Sequence, residues 1–192
     1  MKAIIRSIKP KEVYQIAYGE QSILVSKTAP KLHTPFKVYV YCTNNKKEVL
    51  CVANGGLAKK GDLYINGNIH YPFTGGTLNG KVIGEFVCDR ITELESEFWD
   101  DETYESIGEV WYDQDDGERE VSIFADNDFK DNKLCRKSCV SWEELREYIG
   151  TGIKTFYGWH ISDLKIYDKP KELSEFGIKR PFQSWGYVYD RV

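Results

Sequence analysis

No stretch of this sequence is long and apolar enough to cross a membrane as a helix. The N-terminal MKAIIRSIKPK offers only three consecutive apolar residues ahead of Arg6, too few for the apolar segment of a secretory signal. The five cysteines (Cys42, Cys51, Cys88, Cys135, Cys139) are odd in number and lack a CxxC pair, which argues against a disulfide framework and against a zinc ribbon. They read as reduced, mostly buried thiols. Gly55-Gly56 and Gly75-Gly76 lack the strand-Gly-helix-Lys context of a phosphate-cradling loop. Asp113, Asp115, Asp116 and Glu120 lack the spacing and terminal glutamate of an EF-hand loop. Nothing resembles a flexible linker between two equal domains. The expectation is one soluble, cytoplasmic domain spanning 1–192, with no metal and no cofactor implied.

What is present is charge, unevenly placed. The formal net charge is -4, yet 16 acidic and two basic residues (Arg90, Arg119) lie between Asp89 and Asp128, a local balance of -14. The rest of the chain is therefore +10. A basic body carrying one acidic segment fits a binder of nucleic acid or phosphate whose positive charge lies away from that segment. A solvated acidic excursion beside an ordinary lysine-rich surface fits the same count.

Hydrophobic periodicity then sets the elements. Ala3 to Ile8 is apolar and β-branched enough for a strand. Pro10 suits the first position of a helix, where its missing N–H costs nothing, and Val13, Ile16 and Ala17 fall on one helical face before Gly19. Ser22 to Thr28 and Phe36 to Thr43 read as strands, the second with Phe36, Val38, Val40 and Cys42 on one face and Lys37, Tyr39, Tyr41 and Thr43 on the other. Asn66-Gly67 signals a two-residue hairpin turn, and Lys81 to Ile91 a central strand. EVWY-DQDDG-EREVSIF reads as a hairpin with Asp116-Gly117 at its tip, inside an acidic insertion at 92–134. Ser141 opens a capping box with Glu144 and a helix from Trp142 to Ile149, stopped by Gly150. Trp159 to Tyr167 alternates as a strand, Lys169-Pro170 leads a helical turn closed by Gly177, and Trp185 to Tyr189 is the last strand. Strands with two short helices and no regular βαβ spacing predict an α+β protein built on a β-barrel.

In this order, SIKPKEVYQIAYGE, KTAPK, PFKVYVYCT, GKVIGEFVCDRI, SWEELREYIG, YGWHISDLKIYDKPKELSEF and RPFQSWGYV resemble the ASCH domain of the PUA-like superfamily, in the longer form found in Gram-positive bacteria and their phages. The resemblance implies a barrel with a cleft beside the first helix that takes RNA or a nucleoside. The family motif G-x-K-x-x-E-x-R, aligned on Gly19, places Gln21 at the lysine, Leu24 at the glutamate and Ser26 at the arginine, so every charged member is replaced. Some small ASCH proteins resemble amidohydrolases that deacetylate N4-acetylcytidine with a lysine, a threonine and a glutamate. Here the threonine falls on Leu24, no glutamate matches ahead of Ser141, and neutral Gln21 supplies no pKa-shifted amine.

The reading that results is a non-catalytic ASCH-type module binding RNA, a nucleotide or a modified nucleoside. Lys9, Lys27, Lys31 and Lys37 would meet phosphates, and Gln21, Ser26 and Thr43 would read a base edge. Trp159, His160, Trp185 and Tyr41 would form a stacking platform. Each has a structural counterpart: solubility lysines, core tryptophans, a histidine with no orienting carboxylate. A zinc site from Cys135, Cys139 and His160 or Cys42 is disfavoured by spacing. Two alternatives stand beside this reading. One is an enzyme acting on a modified nucleoside. The other is a phage-related interaction protein that docks a basic protein partner through 92–134.

Overall fold

The computed structural model describes residues 2–52, 63–66, 76–98, 105–112, 117–123 and 132–189. These group into two compact units, one of Met1–Glu20, Pro35–Cys88 and Ile161–Val192, the other of Gln21–Thr34 and Asp89–His160.

The first unit holds a five-stranded sheet of order β11-β6-β3-β1-β12: β1 (Lys2–Ile8), β3 (Phe36–Cys42), β6 (Val82–Cys88), β11 (Ser162–Lys171) and β12 (Trp185–Tyr189). β1 and β3 run parallel and the other neighbours antiparallel. β3 has strands along both edges and is largely buried on both faces: Tyr39 and Tyr41, on the face of Lys37, join Ala3, Ile5, Val82, Tyr167 and Val188 in the core. Helix α1 (Pro10–Tyr18) begins at Pro10 and ends at Gly19, whose φ of 78° is the left-handed conformation that glycine takes without cost. It buries Val13, Ile16 and Ala17 and packs on β3 and on the two-stranded sheet of β4 (Val49–Val52) and β5 (Leu63–Asn66). A 3-10 turn at Leu173–Phe176 is closed by Gly177, as its sequence predicts. Gly84 in β6 lets β11 come close, since a Cβ there would collide with the Lys165 carbonyl.

The second unit holds the antiparallel sheet β2-β10-β7-β8-β9: β2 (Ile23–Ser26), β10 (Gly152–His160), β7 (Ile91–Phe98), β8 (Glu105–Tyr112) and β9 (Arg119–Ile123). Ile23, Leu94, Phe98, Ile107 and Phe156 form its core with Leu134, Cys135, Trp142, Leu145 and Ile149 from α2 (Lys133–Ser138) and α3 (Trp142–Ile149). Residues 92–134, expected to be an insertion, thus supply strands to the middle of this sheet and side chains to its core. The acidic segment also has internal work: the Glu105 carboxylate accepts from Trp142 Nε1 at 2.7 Å and pairs with Arg146 Nε at 2.9 Å, tying β8 to α3.

Several expectations need correction. Among the described residues the sheets are open and no closed barrel is present. WHISDLKIY is two strands, β10 and β11, parted at Ile161; the register shifts between Ser162 and Lys165, where Asp163 sits at φ 46°. Aspartate tolerates that conformation, so the alternation of apolar residues ran unbroken across a real break. Helix α2 was not foreseen, although Asn132 caps it by accepting from Cys135 N at 2.9 Å. The Asn66-Gly67 turn, the Gly55-Gly56 pair and Asp113, Asp115 and Asp116 lie wholly or partly outside the described residues. No helix among the described residues is long and apolar enough to cross a membrane.

The capping box of α3 is reciprocal: Glu144 N donates to Ser141 Oγ at 3.2 Å and Ser141 N donates to Glu144 Oε2 at 3.0 Å. Ser141→Ala should cost about 1 kcal/mol, read as a lower midpoint in chemical denaturation, and Ser141→Asp should restore most of it.

Candidate ligand site

Gln21 opens the second unit. Its Nε2 donates to the Ile23 carbonyl at 3.0 Å, which turns the side chain back onto its own strand and leaves it 3% exposed. The amide oxygen, Oε1, is buried with no hydrogen-bond partner. An unpaired buried acceptor costs about 1–3 kcal/mol in general, so Gln21 stands in a polar deficit.

Ile23 lies opposite His160 in the β2–β10 register. The His160 N–H donates to the Arg90 carbonyl at 3.0 Å, fixing the strand end beside the start of β7. The imidazole sits between Thr92, whose Oγ1 is 2.9 Å from Nε2, and Arg90, whose Nη2 is 3.4 Å from Nδ1. A guanidinium has only donors, so Nδ1 is the acceptor and the proton resides on Nε2, donated to the threonine hydroxyl. Burial and then the charge of Arg90 push the His160 pKa below its usual 6.5; Asp89 opposes this, and Lys137 and Lys133 reinforce it. Lys133 and Lys137 belong to α2, which is held to β2 where Ser22 N donates to the Lys137 carbonyl at 2.9 Å. Arg90, just ahead of β7, and Lys133 and Lys137 of α2 thus all act on an imidazole whose strand pairs with β2, which follows Gln21. The arrangement can bind an anion and present a neutral donor beside it. Among the described residues the ring nitrogens of His160 meet Arg90 and Thr92 and no carboxylate.

The other expected site residues fall as follows. In the second unit Lys27 lies with its Nζ 5.1 Å from the Tyr148 ring centre, and Lys31 is exposed. Lys27 follows Ser26, which pairs with Tyr157, so it stands past the far end of β2, about 13 Å along the chain from the Ile23–His160 pair. Ser26 is 1% exposed and its Oγ accepts from Thr28 N at 3.5 Å. Trp159 is fully buried, which removes it from any stacking surface. In the first unit Lys9 is exposed at the start of α1, and its carbonyl accepts from Val13 N. Lys37 lies 3.8 Å from Glu85 and over the Tyr39 ring. Tyr41 is buried in the core, and burial, Cys42 and Glu172 raise its pKa. The Thr43 N–H donates to the Ile8 carbonyl at 2.9 Å. Trp185 is half-buried, edge-on to Tyr187 at 5.6 Å. The stacking platform expected of Trp159, His160, Trp185 and Tyr41 is therefore not formed: two of the four rings are core. Arg90, Thr92, Lys133 and Lys137 escaped the sequence reading. The signal for the lysines was Asn132 followed by a short run ending in Arg136-Lys137, a capped helix with cations in its last turn.

Among solved structures the chain is similar to ASCH from Zymomonas mobilis, at 13% identity and a TM-score of 0.53 over 98% of this chain and 88% of that one. It is equally similar to two mutants of that protein. A tyrosine-to-phenylalanine mutant matches at 13% identity and TM-score 0.54, over 99% of this chain and 92% of that one. A serine-to-alanine mutant matches at 12% and 0.54, over 98% and 89%. The chain has an ASCH-like fold. No protein-family model and no curated protein sequence matches it. Gln21, Leu24 and Ser26, expected from the sequence to stand at the motif positions, are all buried.

The depressed His160 pKa has a signed consequence. The unfolded chain takes up the proton near pH 6.5 while the folded chain resists it, so stability is full above 6.5 and falls as pH drops from there toward the folded value. His160→Gln should flatten that decline in denaturation midpoints measured at stepped pH. An unaltered decline would remove His160 as its source.

Proposed function

We propose that the protein is an ASCH-type binding module for a nucleotide or RNA, engaged through its phosphate by Arg90, Lys133 and Lys137, without catalysis. The observation that carries this reading is Arg90 Nη2 set 3.4 Å from His160 Nδ1, with Lys133 and Lys137 of the adjacent α2 acting on the same ring. A phosphate gains from all three charges and from the Arg90 fork, and the ligand's release of counterions makes binding salt-dependent. Gln21 supports the choice of a base-bearing ligand over inorganic phosphate, because its unpaired oxygen is an acceptor that an amino or imino N–H would satisfy. That oxygen is covered in the free protein, so the base would reach it only once its surroundings part.

An amidohydrolase reading has little to stand on at the motif positions, which supply no amine, threonine or carboxylate. The reading of 92–134 as an arm for a basic partner is weakened because Glu95 is paired with Arg119 at 2.6 Å and Glu105 with Arg146 and Trp142.

The test is titration of a ribonucleoside 5'-monophosphate panel and short RNA by calorimetry at two salt concentrations. Arg90→Glu and Lys137→Glu should each weaken binding roughly tenfold or more and lower the salt slope by about one. Lys27→Glu, at the other end of β2, should change affinity less than about threefold. Equal losses for all three would place the ligand elsewhere.

A further inference from the structure

His160 holds Arg90 in two ways, and only one of them survives a proton. The His160 backbone N–H donates to the Arg90 carbonyl at 3.0 Å, a bond that protonation of the ring leaves alone. The ring accepts at Nδ1 from Arg90 Nη2 at 3.4 Å and donates its Nε2 proton to Thr92 Oγ1 at 2.9 Å. A guanidinium has no acceptor, so the contact with Arg90 is a hydrogen bond only while Nδ1 keeps its lone pair. Arg90 is exposed just ahead of β7, and His160 is half-buried at the end of β10.

A proton taken from solvent turns Nδ1 into a second N–H donor and sets a positive ring against a positive guanidinium. Donor then faces donor, and the Arg90 side chain has to leave the ring. The backbone bond keeps residue 90 beside the strand end, so the side chain moves and the chain does not. Thr92 accepts from Nε2–H in both protonation states, which preserves the orientation of the ring. The charges that act on the ring come from two sides. Arg90 and Asp89 lie ahead of β7, Lys133 and Lys137 lie on α2, and β2, which reads ILVS, brings no ionisable residue. Burial, the largest cause, and the cations disfavour the imidazolium, while Asp89 favours it, so the change falls on the acid side of the usual 6.5.

We propose that His160 is a proton-operated latch on Arg90: the neutral ring holds the guanidinium, and the protonated ring releases it to the phosphate of a ligand. The inference rests on the reading of Arg90, Lys133 and Lys137 as a phosphate site and adds its regulation. In the latched state one donor of the Arg90 fork is turned to a ring nitrogen. Once released, the fork can meet two phosphate oxygens, and the imidazolium adds a further positive charge beside them. Affinity for a phosphate ligand therefore rises on acidification.

The first measurement needs neither ligand nor variant: NMR relaxation of the Arg90 guanidinium in the full chain, followed together with the His160 ring from about pH 8 to about pH 5. Arg90 should be ordered above the His160 midpoint and lose order below it, with one midpoint for both signals. A melt at each pH checks that the fold persists, since stability declines in the same direction. The second measurement is calorimetric titration with uridylyl-uridine, whose diester phosphate keeps one charge throughout. Its affinity should rise about threefold or more from about pH 7.5 to about pH 5.5. His160→Gln should remove both that rise and the change in Arg90 order. The latch is overturned if Arg90 is equally ordered on both sides of the His160 midpoint, or if it changes at a different midpoint. It is also overturned if uridylyl-uridine affinity is the same at both pH values while Arg90→Glu still weakens binding. Binding that neither Arg90→Glu nor Lys137→Glu weakens at either pH overturns the phosphate site and with it the use of the latch. The ligand-free relaxation separates that failure from the absence of a latch.

Discussion

The second unit depends on one pairing, that of β10 with β7, which runs from Gly152 opposite Phe98 to Trp159 opposite Ile91 without a register shift. That ladder turns Phe156, Leu94 and Phe98 toward α2 and α3, and it ends by delivering His160 to the Arg90 carbonyl and the Thr92 hydroxyl. β2 adds to the other side of β10 and brings Gln21 to the same end, while the Ser22 to Lys137 bond brings the cations of α2. A one-residue slip would reverse every side chain on β10 and dissolve core and site together. The sheet's register thus brings together the strand ends beside which Gln21 and Arg90 lie.

Charge has two roles in this chain. Several groups that look like binding residues are occupied in holding the fold: Lys37 faces Glu85, Lys81 reaches Glu172 at 2.8 Å, and Lys171 lies over Tyr167 and Phe176. Exposed pairs of this kind contribute between nothing and about 1 kcal/mol. Arg90, Lys137 and Lys133 lower the proton affinity of the half-buried His160 imidazole, against the opposing charge of Asp89.

Local chemistry was the part of the fold that sequence made legible. Pro10 and Gly19 bound α1, Ser141 and Glu144 announce α3, Gly177 closes the 3-10 turn, and all four lie where their backbone preferences put them. What could not be read was long-range. The burial of Tyr39 and Tyr41 on β3 depends on distant side chains such as Phe176 packing over that face, and whether 92–134 hangs outside or fills a sheet depends on β7 finding β10. The break at Ile161 hid behind an apolar alternation that Asp163 interrupts only through its φ. The site suffered for the same reason. Gln21 and His160 were expected in a ligand site, whereas Arg90, Lys133 and Lys137 come near His160 only through the register and through a six-residue helix too short to show a period.

The central claim is that Gln21, His160 and the cations of α2 and Arg90 make one ligand site. NMR titration of isotopically labelled protein with a ribonucleoside monophosphate tests it most directly, following the Gln21 side-chain amide and the His160 ring in one series. The account predicts that both move with the same saturation and that the His160 pKa rises in the complex, as an added anion requires. Saturable binding that leaves both signals in place would contradict it.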